Sequence, residues 1–392
     1  MATHRGSAFR QRGMGIVETM VGILIGMVVL IAVYNVFAVA EGYKRTTVGA
    51  ADAQTTGLFT QFVLNREIAN AGNGISGAAA QLGTCTLVDP NWPSPAGFFA
   101  GNKAIRPVPV VIRDSGSPNL PDSMIITYST APHVILPELL VDTPMAVGAD
   151  PVYVQSPNGY RVDDLIVLND MAGNCELTRV TAITPGSSAG DLTTGYVKLS
   201  HPATTKAYKT SGTTNGPNVF NLGRGPVPGQ LPEATRTLFD VVNGQLRTTD
   251  LFTAGATANP ISQNVVLIKA QYGVDCGPPA NAPTGVITWT AATASGVCGR
   301  NYTPDDLANP AMFDAKTLSS IRAVRIAIVV RSDEPDLKDP GLVGQTATLF
   351  NCSTGACAGS INLTNAILAD NYRYRIYETV VPMRNAIFND GT

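Results

Sequence analysis

The residue whose surroundings demand most of it is Glu18. Met14, Gly15, Ile16 and Val17 precede it, and from Thr19 to Ala40 there follow 22 residues without a charge, TMVGILIGMVVLIAVYNVFAVA. A carboxylate inside an apolar layer costs on the order of 2.5–3.5 kcal/mol at mid-membrane and less near its face, so it calls for a cationic partner. Upstream, residues 1–13 carry Arg5, Arg10 and Arg12 and no acid. A cut between Gly13 and Met14 would remove those arginines and leave a new amine beside the acid. Each charge would then have a partner, which recovers much of the desolvation cost when the geometry is good.

The six cysteines, Cys85, Cys175, Cys276, Cys298, Cys352 and Cys357, all follow the apolar run. An even number on the far side of a membrane-length segment reads as disulfides. Cys352 and Cys357 enclose only Ser-Thr-Gly-Ala, and Cys276 and Cys298 bracket a Pro/Gly-rich stretch. The expected pairs are therefore 352 with 357, 276 with 298, and 85 with 175 by elimination. A zinc site would want close Cys/His spacing, yet His4, His133 and His201 lie far from any cysteine pair and no C-x-x-C occurs. Gly186-Ser187-Ser188-Ala189-Gly190 matches G-x-S-x-G, but Pro185 precedes it and a Gly/Thr loop follows, so the strand and helix of a nucleophile elbow are missing. Gly72-Asn73-Gly74-Ile75-Ser76-Gly77 matches G-x-G-x-x-G but ends a helical pattern, which makes it a helix stop. Asp333, Glu334, Asp336 and Asp339 offer oxygen ligands at a spacing that fits no standard calcium loop. The reading is of a non-enzyme with no metal and no cofactor. Net charge is -2, with 27 basic and 29 acidic residues, so there is no basic field to hold a nucleic acid.

These residues must be positioned by two kinds of element. As a helix the uncharged run spans roughly 33 Å, enough for a bilayer core. The three leader arginines favour a cytoplasmic N-terminus, against Glu41 with Lys44 and Arg45 after the run. Ala38-Val39-Ala40 offers a small-residue signal-cleavage site, but the apolar run is too long for a conventional secretory signal. Gly15, Thr19, Gly22 and Gly26 form a small-residue stripe that lets helix backbones approach. Beyond Ala40, Leu58, Phe62 and Ala69 recur at helical spacing until Gly72-Asn73-Gly74, which predicts one helix from Met14 to about Ala71, roughly 87 Å long. Gly42, Gly49 and Gly57 are candidate bends.

The rest, 44% hydrophobic overall but only 14% charged, reads as short strands between Gly/Pro/Asn/Ser clusters. Expected strands are Ser123 to Thr130, Asp163 to Asn169, Glu176 to Thr184, and a hairpin about Asn243-Gly244. In Ile321 to Arg331, Val324, Ile326, Ile328 and Val330 share a face opposite Arg325 and Arg331, and Tyr372 to Arg384 alternates in the same way. Residues 204–235 and 276–312 read as loop-like insertions. The fold class is α+β: a long N-terminal helix packed on a β-rich head.

Gly13-Met14-Gly15-Ile16-Val17-Glu18, behind a basic leader, resembles a prepilin processing site, although Met14 stands where Phe is usual. The resemblance implies a type IV pilin-like fold, cleavage after Gly13, methylation of the Met14 amine, and pairing of Glu18 with the amine of a neighbouring subunit. Gln271-Tyr272-Gly273-Val274-Asp275, Ile321-Arg322-Ala323-Val324-Arg325-Ile326, Val330-Arg331-Ser332, Tyr372-Arg373-Tyr374-Arg375 and Arg384-Asn385 resemble the PilW type of minor pilin. By that resemblance the layout is a leader over 1–13, a helix over 14–72 with the span at 19–40, and a head over 73–392. The protein would prime pilus assembly near the tip, with other minor and major pilins, prepilin peptidase, the inner-membrane assembly machinery and a tip adhesin as partners. It would sit in the inner membrane before assembly and in the pilus after it. The competing readings are a minor pseudopilin of type II secretion, whose heads are usually much smaller, and a single-span anchored binding protein.

Overall fold

A computed structural model describes residues 15–75, 85, 92–100, 108–132, 137–140, 151–155, 158–185, 197–205, 208, 217–277, 284–309, 312–313, 318–335, 347–350, 361–363 and 371–387. The chain divides into two compact units, Met1–Ala51 and Asp52–Thr392.

The first element is a long helix, α1 (Ile16–Asn70). Leu, Met, Ala and Ile favour helix over its first half, and no proline interrupts its 55 residues. It stops where the sequence says it should, in a turn over residues 71–75 with Gly72 and Gly74 at φ 79° and 70°.

In the second unit the strands are β1 (Val110–Arg113), β2 (Ser123–Ser129), β3 (Glu138–Leu139), β4 (Val152–Val154), β5 (Asp164–Asn169), β6 (Cys175–Arg179), β7 (Ala182–Pro185), β8 (Val197–Ser200) and β9 (Asn218–Arg224). They continue as β10 (Ala234–Val242), β11 (Gln245–Asp250), β12 (Asn259–Gln263), β13 (Val265–Asp275), β14 (Ile287–Thr290), β15 (Ile321–Arg331), β16 (Ala347–Leu349), β17 (Ile361–Leu363) and β18 (Tyr374–Pro382). Among the described residues two short helices accompany them, α2 (Pro304–Ala308) and α3 (Arg384–Ile387). Among the described residues all pairings are antiparallel, in sheets ordered β1-β2-β10-β11-β12, β14-β13-β15-β18, β3-β9-β5-β6, β4-β8-β7 and β16-β17.

The main core joins the C-terminal part of α1 to the first two of these sheets through Leu64, Ile68, Ile112, Ile125, Tyr272, Val324, Ile326 and Ile328. The predicted face of β15 therefore points into this core. Its opposite face is covered as well: Ala327 and Val329 pack under the β16-β17 hairpin with Leu349, Phe350 and Leu363. The hairpin about Asn243-Gly244 forms as read, with both residues at positive φ, 52° and 73°, and Val242 opposite Gln245.

Several expectations are corrected. The buried stripe of α1 in the second unit is Ala53, Gly57, Thr60, Leu64, Glu67 and Ile68, while Leu58 and Phe62 stay 50% and 62% exposed and Ala69 is half-buried. The inner side is small at Ala53, Gly57 and Thr60 and becomes larger only toward the helix end, at Leu64 and Ile68. The run from Glu176 to Thr184 is two strands in different sheets, β6 and β7. The supposed insertion at 204–235 holds β9, the second strand of its sheet, disguised by Asn218 and Asn221 in a buried segment. The other, at 276–312, holds β14 and also α2, whose Thr303 and Asp306 form a capping box.

Candidate assembly site

The Glu18 segment is built by the first turns of α1. The amides of Glu18 and Thr19 both donate to the Gly15 carbonyl, at 3.0 and 3.1 Å, and the Thr19 hydroxyl donates to the Ile16 carbonyl at 2.8 Å. At about 100° per residue, Gly15, Glu18, Thr19, Gly22 and Gly26 fall within an arc of roughly 100°. The carboxylate thus flanks the small-residue stripe, and a Cβ added at Gly15, Gly22 or Gly26 would meet nothing within 4 Å. Along this segment Ile16, Val17, Met20, Ile23 and Leu24 are each more than 60% exposed. The helix is long and apolar enough to cross a membrane by length and composition, and its most apolar stretch is wholly unburied within the protein. Gly13 and Met14 lie outside the described residues.

The motifs near the C-terminus, scattered in sequence, meet around the end of α1 and the sheet beside it. Asn385 donates from Nδ2 to the carbonyl of Ala71 at 3.0 Å, which satisfies a backbone acceptor just past the helix end. Asn73 reaches Ser129 through both its side chain and its carbonyl, at 2.8 Å each, and Gly72 donates to Thr127 at 3.0 Å. Gly74 is required there, since a Cβ would stand 2.8 Å from that of Ser129. Glu67, 8% exposed, takes the Tyr128 hydroxyl at 2.8 Å and the Arg66 guanidinium at 2.7 Å. Burial, reinforced by that carboxylate, pushes the Tyr128 hydroxyl up to about 12.

Arg325 is only 5% exposed. Its guanidinium lies between the rings of Trp289 and Phe350, 4.8 and 4.4 Å from their centroids, and donates from Nε to Gln271 Oε1 at 2.8 Å. Burial lowers its pKa to about 10, against the pull of Glu378. Tyr272, wholly buried, receives the Ile112 amide at 2.6 Å, and Arg331 stacks on Tyr372 at 4.5 Å. Gln271, Tyr272, Arg325, Arg331, Tyr372 and Asn385 therefore act as welds between strands and the helix end. Sequence reading missed Glu67 and the buried pair Lys269 and Asp122. A lone lysine inside the apolar run VVLIKAQYGVD of β13 was the available signal for that pair.

Cys85 is bonded to Cys175 and Cys276 to Cys298, with Cα atoms 5.5 and 5.3 Å apart. Cys352 and Cys357 lie outside the described residues, as do Gly186 to Gly190, Asp336 and Asp339. Asp333 accepts from Asn264 Nδ2 at 3.2 Å, and among the described residues no three His, Cys, Asp or Glu side chains gather as a metal site would need.

One apolar N-terminal helix, joined to an α+β head of antiparallel sheets, defines a class of proteins that carry a folded head on a membrane-length helix. Residues 233–385 match the family model described as PilW, Type IV Pilus-assembly protein W, and so this part of the chain is similar to a type IV pilus-assembly family. The matched stretch begins just before β10, ends at the helix-capping Asn385, and includes every strand of the β14-β13-β15-β18 sheet. No curated protein and no solved structure matches the chain.

Proposed function

We propose that the chain is a minor pilin of a type IV pilus, with a pilin-like fold, that primes assembly near the pilus tip. Residues 1–13 are a leader removed by prepilin peptidase after Gly13, residues 14–72 the filament helix, and 73–392 the extracytoplasmic head. Before assembly the helix spans the inner membrane with its N-terminus cytoplasmic. After assembly it lies in the filament among other minor and major pilins, with the head beneath an adhesin. Cys352 and Cys357 close a third disulfide in this reading.

One coincidence carries the proposal: a chain whose residues 233–385 match a pilus-assembly family also places Glu18 on the small-residue face of an apolar helix. Cleavage removes three arginines and creates an amine at Met14. In an apolar surrounding neither that amine nor Glu18 is stable alone, so subunits are drawn into the register in which the amine of one meets the acid of the next. The stripe of Gly15, Thr19, Gly22 and Gly26 allows the close backbone approach that such pairing needs.

The test is intact-mass and N-terminal peptide mass spectrometry of protein from its native host membranes. A chain beginning at methylated Met14 is expected. One beginning at Glu41 would mean soluble export, and an intact leader would mean a simple membrane anchor; either overturns the proposal.

A further inference from the structure

Lys269 lies in the middle of β13, 1% exposed, and its ammonium nitrogen is 2.7 Å from Oδ1 of Asp122, which is 3% exposed. The two residues are 147 apart in sequence. Their alignment is fixed from several directions. The Asp122 amide donates to the Ile268 carbonyl at 2.8 Å, and the Ala270 amide donates back to Asp122 Oδ2 at 3.1 Å. The Ser115 amide donates to Oδ1 at 3.0 Å, while the Ser115 hydroxyl accepts from Lys269 Nζ at 2.8 Å and donates to the Leu120 carbonyl at 2.8 Å. A side-chain nitrogen and a carboxyl polarised by two backbone amides are held together away from water, beside the half-buried hydroxyl of Ser115.

We propose that Lys269 and Asp122 condense into an intramolecular isopeptide bond that ties the β1-β2 connection to β13. Moving one proton along the 2.7 Å hydrogen bond converts ammonium and carboxylate into amine and carboxylic acid. That transfer costs less here than in water, because a buried ion pair has given up its hydration. Desolvation also raises the Asp122 pKa against the opposing pull of Lys269, and nearby Asp114 raises it further. The Lys269 nitrogen then bonds to the Asp122 carboxyl carbon, with the developing charge on Oδ2 held by the Ala270 amide. The bond from that carbon to Oδ1 breaks, and Oδ1 leaves as water with the acid proton and one amine proton. An amide replaces the ion pair, and no oxidant, cofactor or second molecule is consumed. Holding the reacting atoms in contact supplies the effective concentration that the condensation needs.

The measurement is the intact mass of the reduced full-length chain, followed by proteolysis and peptide sequencing by mass spectrometry. The wild-type protein should be one water lighter than its sequence from the observed N-terminus with any N-terminal methyl counted, with one branched peptide joining Lys269 to Asp122. Lys269→Arg and Asp122→Ala should both return to the uncondensed mass. Asp122→Asn should be one ammonia lighter, because its amide nitrogen leaves in place of the hydroxyl. A wild-type chain of full sequence mass overturns the proposal, and so does a deficit mapped to any other residue, such as a succinimide at Asp390-Gly391.

Discussion

A carboxylate in the first turn of an apolar helix is favoured by the free amides there, but Glu18 and its neighbours are exposed in the monomer and add no packing to the fold. Its larger energetic role has to lie in what the exposed helix meets. Replacing Glu18 with Ala leaves the apolar run intact and adds a good helix former, so the protein should remain in the membrane fraction at wild-type level. Incorporation should fall by at least about tenfold, because a subunit amine brought into the filament would have no carboxylate. The assay is the ratio of the variant in sheared pili to that in membranes; an unchanged ratio would remove the pairing argument. Glu18 was legible because an acid in such a setting has no cheap explanation. Lys269, Asp122 and Arg325 were harder to read, since the partner that makes each tolerable lies far away in sequence and only the folded chain brings it near.

At the scale of elements, α1 and β18 meet through the smallest residue available. A Cβ at Gly57 would lie 2.0 Å from Cε2 of Tyr377, whose hydroxyl donates to the Gln54 carbonyl at 3.4 Å. The helix continues through this glycine, and a ring occupies the space that a side chain there would need. Gly57→Ala sets two effects against each other: about 1 kcal/mol gained in helix propensity and about 1–3 kcal/mol lost in overpacking. With so short an approach the clash should win, leaving the protein about 1 kcal/mol less stable in denaturant unfolding. In a Tyr377→Ala background the same substitution should change sign and stabilise by up to about 1 kcal/mol. Destabilisation in both backgrounds would show that the ring is not what Gly57 accommodates. The same packing explains why the helix face was misread: Leu58 and Phe62 carried the hydrophobic signal, but contact with the sheets goes through Gly57, Thr60 and Leu64. Strands with one clear alternation, such as β15, or a diagnostic turn, such as Asn243-Gly244, were readable. β9 was not, because its buried Asn221 depends on partners far away in sequence: its Nδ2 donates to the Gly159 carbonyl and to Asp164 Oδ2, at 2.7 Å each, while its Oδ1 accepts the nearby Gly223 amide at 2.7 Å.

Among the described residues, disulfides cross-link the molecule on two different length scales. Cys85 to Cys175 closes a separation of 90 residues and Cys276 to Cys298 one of 22. By loop-closure entropy the first should contribute about 4.6 kcal/mol and the second about 3.4 kcal/mol. Their surroundings point the same way. Cys85 and Cys175 are both buried, in a cluster with Trp92, Leu165, Val167 and Phe220. The second disulfide lies beside β14, in a loop that Asp275 already organises by accepting from Gly277, Thr284 and Gly285. Part of the order that the shorter bridge would impose is thus supplied without it. The Cys85→Ser/Cys175→Ser variant should therefore lose more stability than Cys276→Ser/Cys298→Ser, by about 1 kcal/mol or more in the unfolding free energy from urea titration. Hydrogen exchange should rise first in β5, β6 and β9, whose side chains line that cluster, while β13 and β15 stay protected by a core that does not include the bridge. The reverse ranking, or exchange rising equally in both sheets, would mean that loop closure does not set the contribution of these bonds and that the whole second unit opens as one cooperative block.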